Sequence, residues 1–230
     1  MTQLIENPIF GVLITLMAYE AGLYLQRRTG FALLNPLLIS TVFIILFLVI
    51  SGIDYESYNT GGKIVSFFIT PATVALAVPL YRNFKLLRAN LWPIFLGITA
   101  GVLVNFISLY LLVEYTDLGK EIFYTLVPKS VTTPIGIELS QQIGGIPQIT
   151  IAAIIISGLT GVILGPVIFR IFRISDKVAR GIAYGTTSHA LGTTKALEEG
   201  EIEGSMSGLS IGIAGLLTAV MVPLLLKLIL

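Results

Sequence analysis

The run Pro128-Lys129-Ser130-Val131-Thr132-Thr133-Pro134-Ile135-Gly136 places one ammonium and three hydroxyls immediately before a proline. Proline suits the first turn of a helix because its missing N–H has no partner there, so the spacing predicts an unwound stretch that becomes a helix. Thr133 is the expected N-cap, Pro134 the first helical residue, and Gly144-Gly145 the end. Free N–H groups and the dipole at such a helix start attract an anion. Lys129, Ser130, Thr132 and Thr133 would add a charge and hydroxyl donors, which suits the holding of a carboxylate. Hydroxyls that only cap and a Lys129 that snorkels to the membrane surface are the plainer alternative.

A second cluster reads Tyr184-Gly185-Thr186-Thr187-Ser188-His189-Ala190-Leu191-Gly192-Thr193-Thr194-Lys195 and holds the only histidine of the chain. Gly-Thr-Thr recurs after seven residues, nearly two helical turns, so Gly185 and Gly192 would share one stripe with His189 between them. Ser188, His189 and Thr193 are the expected remainder of a pocket, and an imidazole with an ordinary pKa of about 6.5 suits proton coupling. A structural histidine on a packing stripe is the alternative reading. Glu138, five residues past the first break, is a second candidate for coupling, although a solvated helix face explains it equally well.

The elements that must carry these residues are membrane helices. The 230-residue chain is 55% hydrophobic and 12% charged, against roughly 25% charged in soluble domains. Fourteen Lys and Arg against thirteen Asp and Glu give a net charge of +1, which leaves no basic field for nucleic acid. With no cysteine and one histidine, a thiolate or histidine metal site is not expected, nor is any cofactor. No phosphate-binding loop of the Gly-x-x-x-x-Gly-Lys-[Ser/Thr] type occurs, and an enzyme is the least favoured class.

Apolar runs about Pro8 to Leu25, Leu33 to Ile50, Ile64 to Tyr81, Leu91 to Val113, Ile149 to Ile171 and Ser207 to Leu230 are each long enough to span a bilayer. Residues 1–230 are therefore expected to form one all-α integral membrane domain, a polytopic bundle of about 6–8 membrane segments with broken or re-entrant helices. The first run lacks a cationic flank and a cleavage site, so it reads as a retained helix. Arg27 and Arg28, then Arg82, Lys85 and Arg88, mark one side as cytoplasmic and place the N-terminus outside. The densest basic loop, Arg170, Arg173, Lys177 and Arg180, returns to that side only if residues 122–145 enter and leave on the same face. A re-entrant hairpin there is the expectation.

Pro71 and Thr73 lie in a further expected break, Phe67-Phe68-Ile69-Thr70-Pro71-Ala72-Thr73, which echoes Thr132-Thr133-Pro134. The Gly-rich stretches Gly97 to Gly101 and Gly158 to Gly161 follow the two, so a weak internal repeat pairs them, since matched interruptions in two halves mark a carrier's substrate site. Pro71, Thr73, Pro134, Gly185 and Gly192 are the predicted helix breaks. Asn105, mid-span, is expected to bond a neighbouring helix.

The segments Pro128 to Ile135, Gly185 to Thr193 and Pro71 to Tyr81 resemble the signature segments of the LrgB/CidB family, and the likeness covers essentially the whole chain. Thr187 and Leu191 stand where Ala and Ile are common in that family. The resemblance implies an antiholin-like membrane protein that restrains murein hydrolase activity and lysis with a small LrgA/CidA-like membrane partner. It equally implies kinship with carriers of small monocarboxylates, among them pyruvate uptake systems and the plastid glycolate/glycerate translocator, in which an LrgA-like part precedes the LrgB-like part. Unwound polar segments with a Lys and a His are costly in a bilayer unless they line a site. A monocarboxylate carrier for pyruvate, lactate or glycolate, ion- or proton-coupled and located in a bacterial-type plasma membrane, is the favoured expectation. The lysis regulator is the alternative, and a homodimeric, elevator-like assembly is the expected form.

Overall fold

The computed structural model describes residues 7–29, 34, 36–68, 71, 74, 75, 77–116 and 118–229, and every element among them is helical. They divide into two compact units, Met1–Ala75 and Leu76–Leu230.

The first unit contains α1 (Pro8–Thr29), α2 (Pro36–Ser51) and α3 (Tyr55–Phe67). Glycines let these helices meet backbone to backbone: a Cβ on Gly11 would lie 3.0 Å from Gly61 Cα, and one on Gly22 would lie 2.9 Å from Pro36 Cα. The Thr15 and Tyr58 hydroxyls bond across the α1–α3 seam at 3.0 Å. Asp54 caps α3 by accepting from the Glu56 N–H at 3.0 Å.

The second unit begins with the short helices α4 (Ala77–Arg82) and α5 (Phe84–Ala89), followed by α6 (Leu91–Thr116). Next come α7 (Lys120–Leu126), a 3-10 turn (Val127–Ser130) and α8 (Thr133–Ile143). The chain ends with α9 (Pro147–Ile171), α10 (Lys177–Glu199) and α11 (Glu201–Ile229).

Helices α1, α6, α9 and α11 are each long and apolar enough to cross a membrane, and the protein is a polytopic helical membrane protein. Two expected spans differ. The second is α2, 16 residues and about 24 Å long. In the third, α3 ends at Phe67 with a turn at Phe68, Pro71, Val74 and Ala75 are helical, and α4 runs over Ala77–Arg82. Thr73, Thr70 and Ala72 lie outside the described residues.

Residues 120–143 form a helical hairpin that enters and leaves at one end. The Ile146 N–H donates to Thr125 Oγ1 at 2.9 Å, and Thr150 Oγ1 on α9 lies 2.8 Å from both the Thr125 carbonyl and the Ser140 hydroxyl. Position 125 therefore adjoins position 146 across the mouth. The tip is Val131, extended at φ −123° and ψ 176°, and Thr132. Thr132, not the expected Thr133, is the N-cap residue, and it makes no side-chain cap bond. Proline loses nothing by moving one place inward, because the first four N–H groups of a helix are unpaired in any case. Gly144 ends α8 in the left-handed region at φ 88°, as the Gly pair predicts.

Residues 177–199 form a second hairpin, where the sequence suggested one continuous stripe. At His189 the backbone turns to φ 42° and ψ −127°. Arg180 and Glu199 pair at 2.6 Å, and the Tyr184 hydroxyl donates to Glu199 Oε1 at 2.6 Å. In a straight helix positions 180 and 199 would be about 28 Å apart. The break is thus at His189, and Gly185 and Gly192 lie inside the arms. Gly192 packs against the Tyr184 carbonyl of the opposite arm and Gly185 against the Ser207 carbonyl of α11.

The two hairpins enter from opposite ends. The first has its mouth at the start of α9, near Thr150. The second has its mouth at the far end of α9, where the Phe169 and Tyr184 rings meet edge to face at 5.1 Å and Arg180 lies over Phe169 at 5.2 Å. Each hairpin leads through a short connection into a span, α9 or α11, and the contacts repeat as well. Gly136 and Gly192, 56 apart, face the carbonyls of Pro128 and Tyr184, each eight residues earlier. A Cβ on Gly158 would lie 2.8 Å from Leu191 Cδ1, and one on Gly215 would lie 2.8 Å from Ile135 Cδ1. Those contacts correspond at offsets of 57 in the span and 56 in the hairpin. Ser130 then matches Thr186 and Thr132 matches Ser188, while Ile154-Ile155-Ile156-Ser157-Gly158-Leu159 matches Ile211-Gly212-Ile213-Ala214-Gly215-Leu216. Residues 120–171 and 177–229 thus correspond as an inverted repeat, while the expected pairing of Pro71 with Pro134 falls largely on residues outside those described.

The matched glycines give a test. A methyl on Gly192 meets a backbone carbonyl, whereas one on Gly136 meets Ile154 Cδ1 at 2.5 Å, the mobile end of a side chain. Gly192→Ala is expected to cost about 1–3 kcal/mol of stability and Gly136→Ala less, read as the order of melting temperatures in detergent.

Candidate binding site

The two tips converge on α9 at Ile154. Its carbonyl lies 3.2 Å from His189 Nε2, and its side chain lies over Gly136 in the first hairpin. From there α9 presents small residues to the second hairpin at helical spacing: Gly158 to the His189 ring, Gly161 to Ser188, and Gly165 to Tyr184. Small residues at such a seam let helices approach closely within a bilayer.

Lys129 sits in the 3-10 turn just before the first tip, half-buried. Its Nζ donates to Asn105 Oδ1 on α6 at 2.7 Å and to Ser130 Oγ at 3.3 Å. Asn105 Nδ2 in turn donates to the Val127 carbonyl at 2.9 Å, so mid-span Asn105 fixes the hairpin to α6. Among the described residues no carboxylate pairs with Lys129. Thr132 and Thr133 are half-buried beside it, and among the described residues neither hydroxyl forms a hydrogen bond. One cation, solvated by neutral oxygens and flanked by spare donors, is an arrangement fit to receive an anion.

At the other tip His189 is 5% exposed. The Ile154 carbonyl can only accept, so Nε2 carries the proton of that bond. Nδ1 has no hydrogen-bond partner among the described residues. Ser188 is buried with its hydroxyl 3.2 Å from that of Thr187. Thr193 is buried too, but its hydroxyl donates to the His189 carbonyl at 3.1 Å and lies 2.8 Å from Ser207 Oγ, which ties the second arm to α11. Glu138 stands exposed on α8 and forms no ion pair. Pro134 is exposed in the first turn of α8.

A cavity of about 390 Å³ runs between α6 and the first arm of the second hairpin, bounded by Asn90, Gly97, Gly101, Asp176, Ile182 and Thr186. Asn90 and Asp176 mark its outer end, at the second hairpin's mouth. Gly97, Gly101 and Asn105 follow at intervals of four on α6, so the inner end lies about one turn, some 6 Å, from the Lys129–Asn105 bond. Thr186 belongs to this wall and was not singled out by the sequence. Its hydroxyl is buried without a partner. A buried polar group left unpaired costs about 1–3 kcal/mol. Residue spacing carried no sign of this; only the repeat, which aligns Thr186 with Ser130, does.

Basic residues gather at the end where this cavity opens. Arg82 lies 3.8 Å from Glu201, and Arg180 pairs with Glu199, so the loops holding Arg82 to Arg88 and Arg170 to Arg180 share one end of this unit. No group of three or more His, Cys, Asp or Glu side chains is placed to hold a metal ion among the described residues.

The pattern of the LrgB-like family matches residues 15–228. The chain belongs to that family. It is 36% identical over 219 residues to the antiholin-like protein LrgB of Bacillus mycoides (strain KBAB4), covering 95% of each chain. Identity and coverage are the same with the antiholin-like protein LrgB of Bacillus cereus (strain B4264) and of Bacillus anthracis (strain CDC 684 / NRRL 3495). No solved structure matches the chain. The family match supports the signature segments on which the resemblance was first drawn, and both hairpin tips lie within them.

Proposed function

We propose that this LrgB-family protein is a membrane carrier of small monocarboxylates such as pyruvate, lactate or glycolate. The observation that carries the reading is Lys129, a half-buried cation at a helical break with neutral partners and no carboxylate. The substrate carboxylate takes the ammonium together with Ser130, Thr132 and Thr133, and Ser188 and His189 close the site from the opposite tip. Thr193 supports that tip by holding the His189 carbonyl. His189 Nδ1 is the proton-coupling group, and exposed Glu138 is the second candidate.

Two hairpins inserted from opposite ends support alternating access, because inverted repeats allow one packing on each side of a central site. The cavity beside the second hairpin is the open side in this state. Basic loops stay in the cytoplasm, so that end of the second unit faces inward, and Arg27 and Arg28 after the first span place the N-terminus outward. A homodimer in a bacterial-type plasma membrane, fixed by its scaffold while the hairpins move, is the assembly that suits this motion.

The test is uptake of radiolabelled pyruvate, lactate and glycolate into liposomes holding only this protein, with and without an inward proton gradient. Saturable uptake supports the carrier, and silence under both conditions removes it. The relatives' name, antiholin-like protein LrgB, favours a second reading, an antiholin-like regulator of murein hydrolase activity acting through an LrgA/CidA-like membrane partner. Uptake that appears only when such a partner is added joins the two readings as halves of one carrier.

A further inference from the structure

Threonines in these helices satisfy their hydroxyls on the carbonyl four residues back. Thr125 does so on Glu121, Thr160 on Ile156, Thr187 on Ala183 and Thr193 on His189. Thr186 does not, although the Ile182 carbonyl is in its register. The residue is 6% exposed, its hydroxyl has no partner, and it forms part of the inner wall of the cavity beside α6. Its methyl packs toward Gly101, with Cγ2 2.8 Å from where a Cβ would stand there. A larger residue at position 101 would fill that space.

The repeat gives this hydroxyl a counterpart. Ser130, 56 residues earlier, occupies the matching place in the first hairpin and faces α6 one turn further along, with its hydroxyl 3.4 Å from Asn105 Oδ1 and 3.3 Å from Lys129 Nζ. Each hairpin thus places one hydroxyl-bearing residue against α6, Thr186 beside Gly101 with its methyl nearest and Ser130 beside Asn105. The first hydroxyl is unpaired and the second belongs to the cation's shell. A ligand spanning one turn of α6 would meet a charge at one end and a neutral donor at the other.

We infer that Thr186 is a specificity-determining residue, donating to the oxygen at C2 of the substrate while Lys129 holds its carboxylate. The site thereby selects 2-oxo and 2-hydroxy monocarboxylates over acids of the same size with no C2 oxygen. A single cation without a second one nearby favours a monoanion. A turn of about 120° about χ1 carries the Thr186 hydroxyl into the place its methyl holds, with the methyl moving to that of the Cβ hydrogen, which brings the donor to the α6 face without moving the backbone. This assignment rests on the carrier reading above.

The experiment compares lactate with propionate, which differ only in the C2 oxygen, in liposomes holding the wild type or Thr186→Val. Valine keeps the shape and removes the hydroxyl. The lactate-to-propionate ratio of kcat/KM is expected to fall about tenfold in the variant, through KM for lactate, with propionate unchanged. The variant's melting temperature stays at or above that of the wild type, because no hydrogen bond within the chain is lost. Equal loss for both acids with a lowered melting temperature makes Thr186 a structural residue and overturns the assignment, as does an unchanged ratio. In both cases the carrier itself stands. A wild type that takes up neither acid overturns both readings together.

Discussion

Lys129→Met is expected to lower carboxylate uptake by about 10–100-fold in kcat/KM while leaving the hairpin folded. Methionine keeps the length and apolar stem of the side chain and removes only the charge. Hydrogen bonds to a charged group are worth about 1.5–3 kcal/mol, which is the size of the expected loss. Asn105 still holds the hairpin through the Val127 carbonyl, a bond that does not involve Lys129. Lys129→Arg keeps the charge but needs room for a planar fork, so partial uptake with altered preference among acids is its expected phenotype. The measurement is initial uptake rate against concentration, with melting temperature as the folding control. Wild-type uptake in Lys129→Met would remove the ammonium from the site.

The second large effect is at His189, where Gly and Ala separate backbone from side chain. At φ 42° and ψ −127° a residue with a Cβ is strained, at a cost of about 1–3 kcal/mol, and glycine is not. His189→Ala keeps the strain and loses the ring that bonds the Ile154 carbonyl. His189→Gly loses the same ring but relieves the strain, so its melting temperature is expected to exceed that of His189→Ala by an amount equivalent to about 1–3 kcal/mol. Proton-driven uptake is expected to vanish equally in both. If uptake instead follows stability across the two variants, the imidazole has no role beyond packing. The comparison is informative because strain retained at a buried site points to a function that uses it.

Much of this architecture could be read along the chain. Four spans followed from apolar length, and the first hairpin followed from the parity of basic loops together with Pro134, Gly144 and Gly145. Lys129, Ser130, Thr132 and Thr133 were legible as a cluster because they are contiguous. In the second hairpin the expected breaks were Gly185 and Gly192, on either side of the turn, and the turn at His189 itself was not legible. Histidine is no helix breaker, and Gly-Thr-Thr at a spacing of seven is what a straight packing helix would show. The turn exists because distant parts hold both arms: Arg180 against Glu199, Thr193 against Ser207, and the His189 ring against Ile154. The correspondence between the two hairpins was not legible for a related reason. Its partners agree in the places they occupy more than in residue type, and Thr-Pro at position 70 offered a more visible match than Thr-Thr-Ser-His at 186.

By itself the sequence determined that this is a multi-span helical membrane protein with polar breaks, since hydrocarbon admits only backbones that satisfy their own hydrogen bonds and composition records that demand directly. Its motifs also determined the family. Only the tertiary structure decided that two breaks meet at α9, that Asn105 bonds Lys129, that the Thr186 hydroxyl is buried without a partner, and that among the described residues no carboxylate pairs with the cation. Those facts depend on which backbones come together, and hairpins that insert from opposite ends join residues more than fifty positions apart, a relation that no local periodicity encodes.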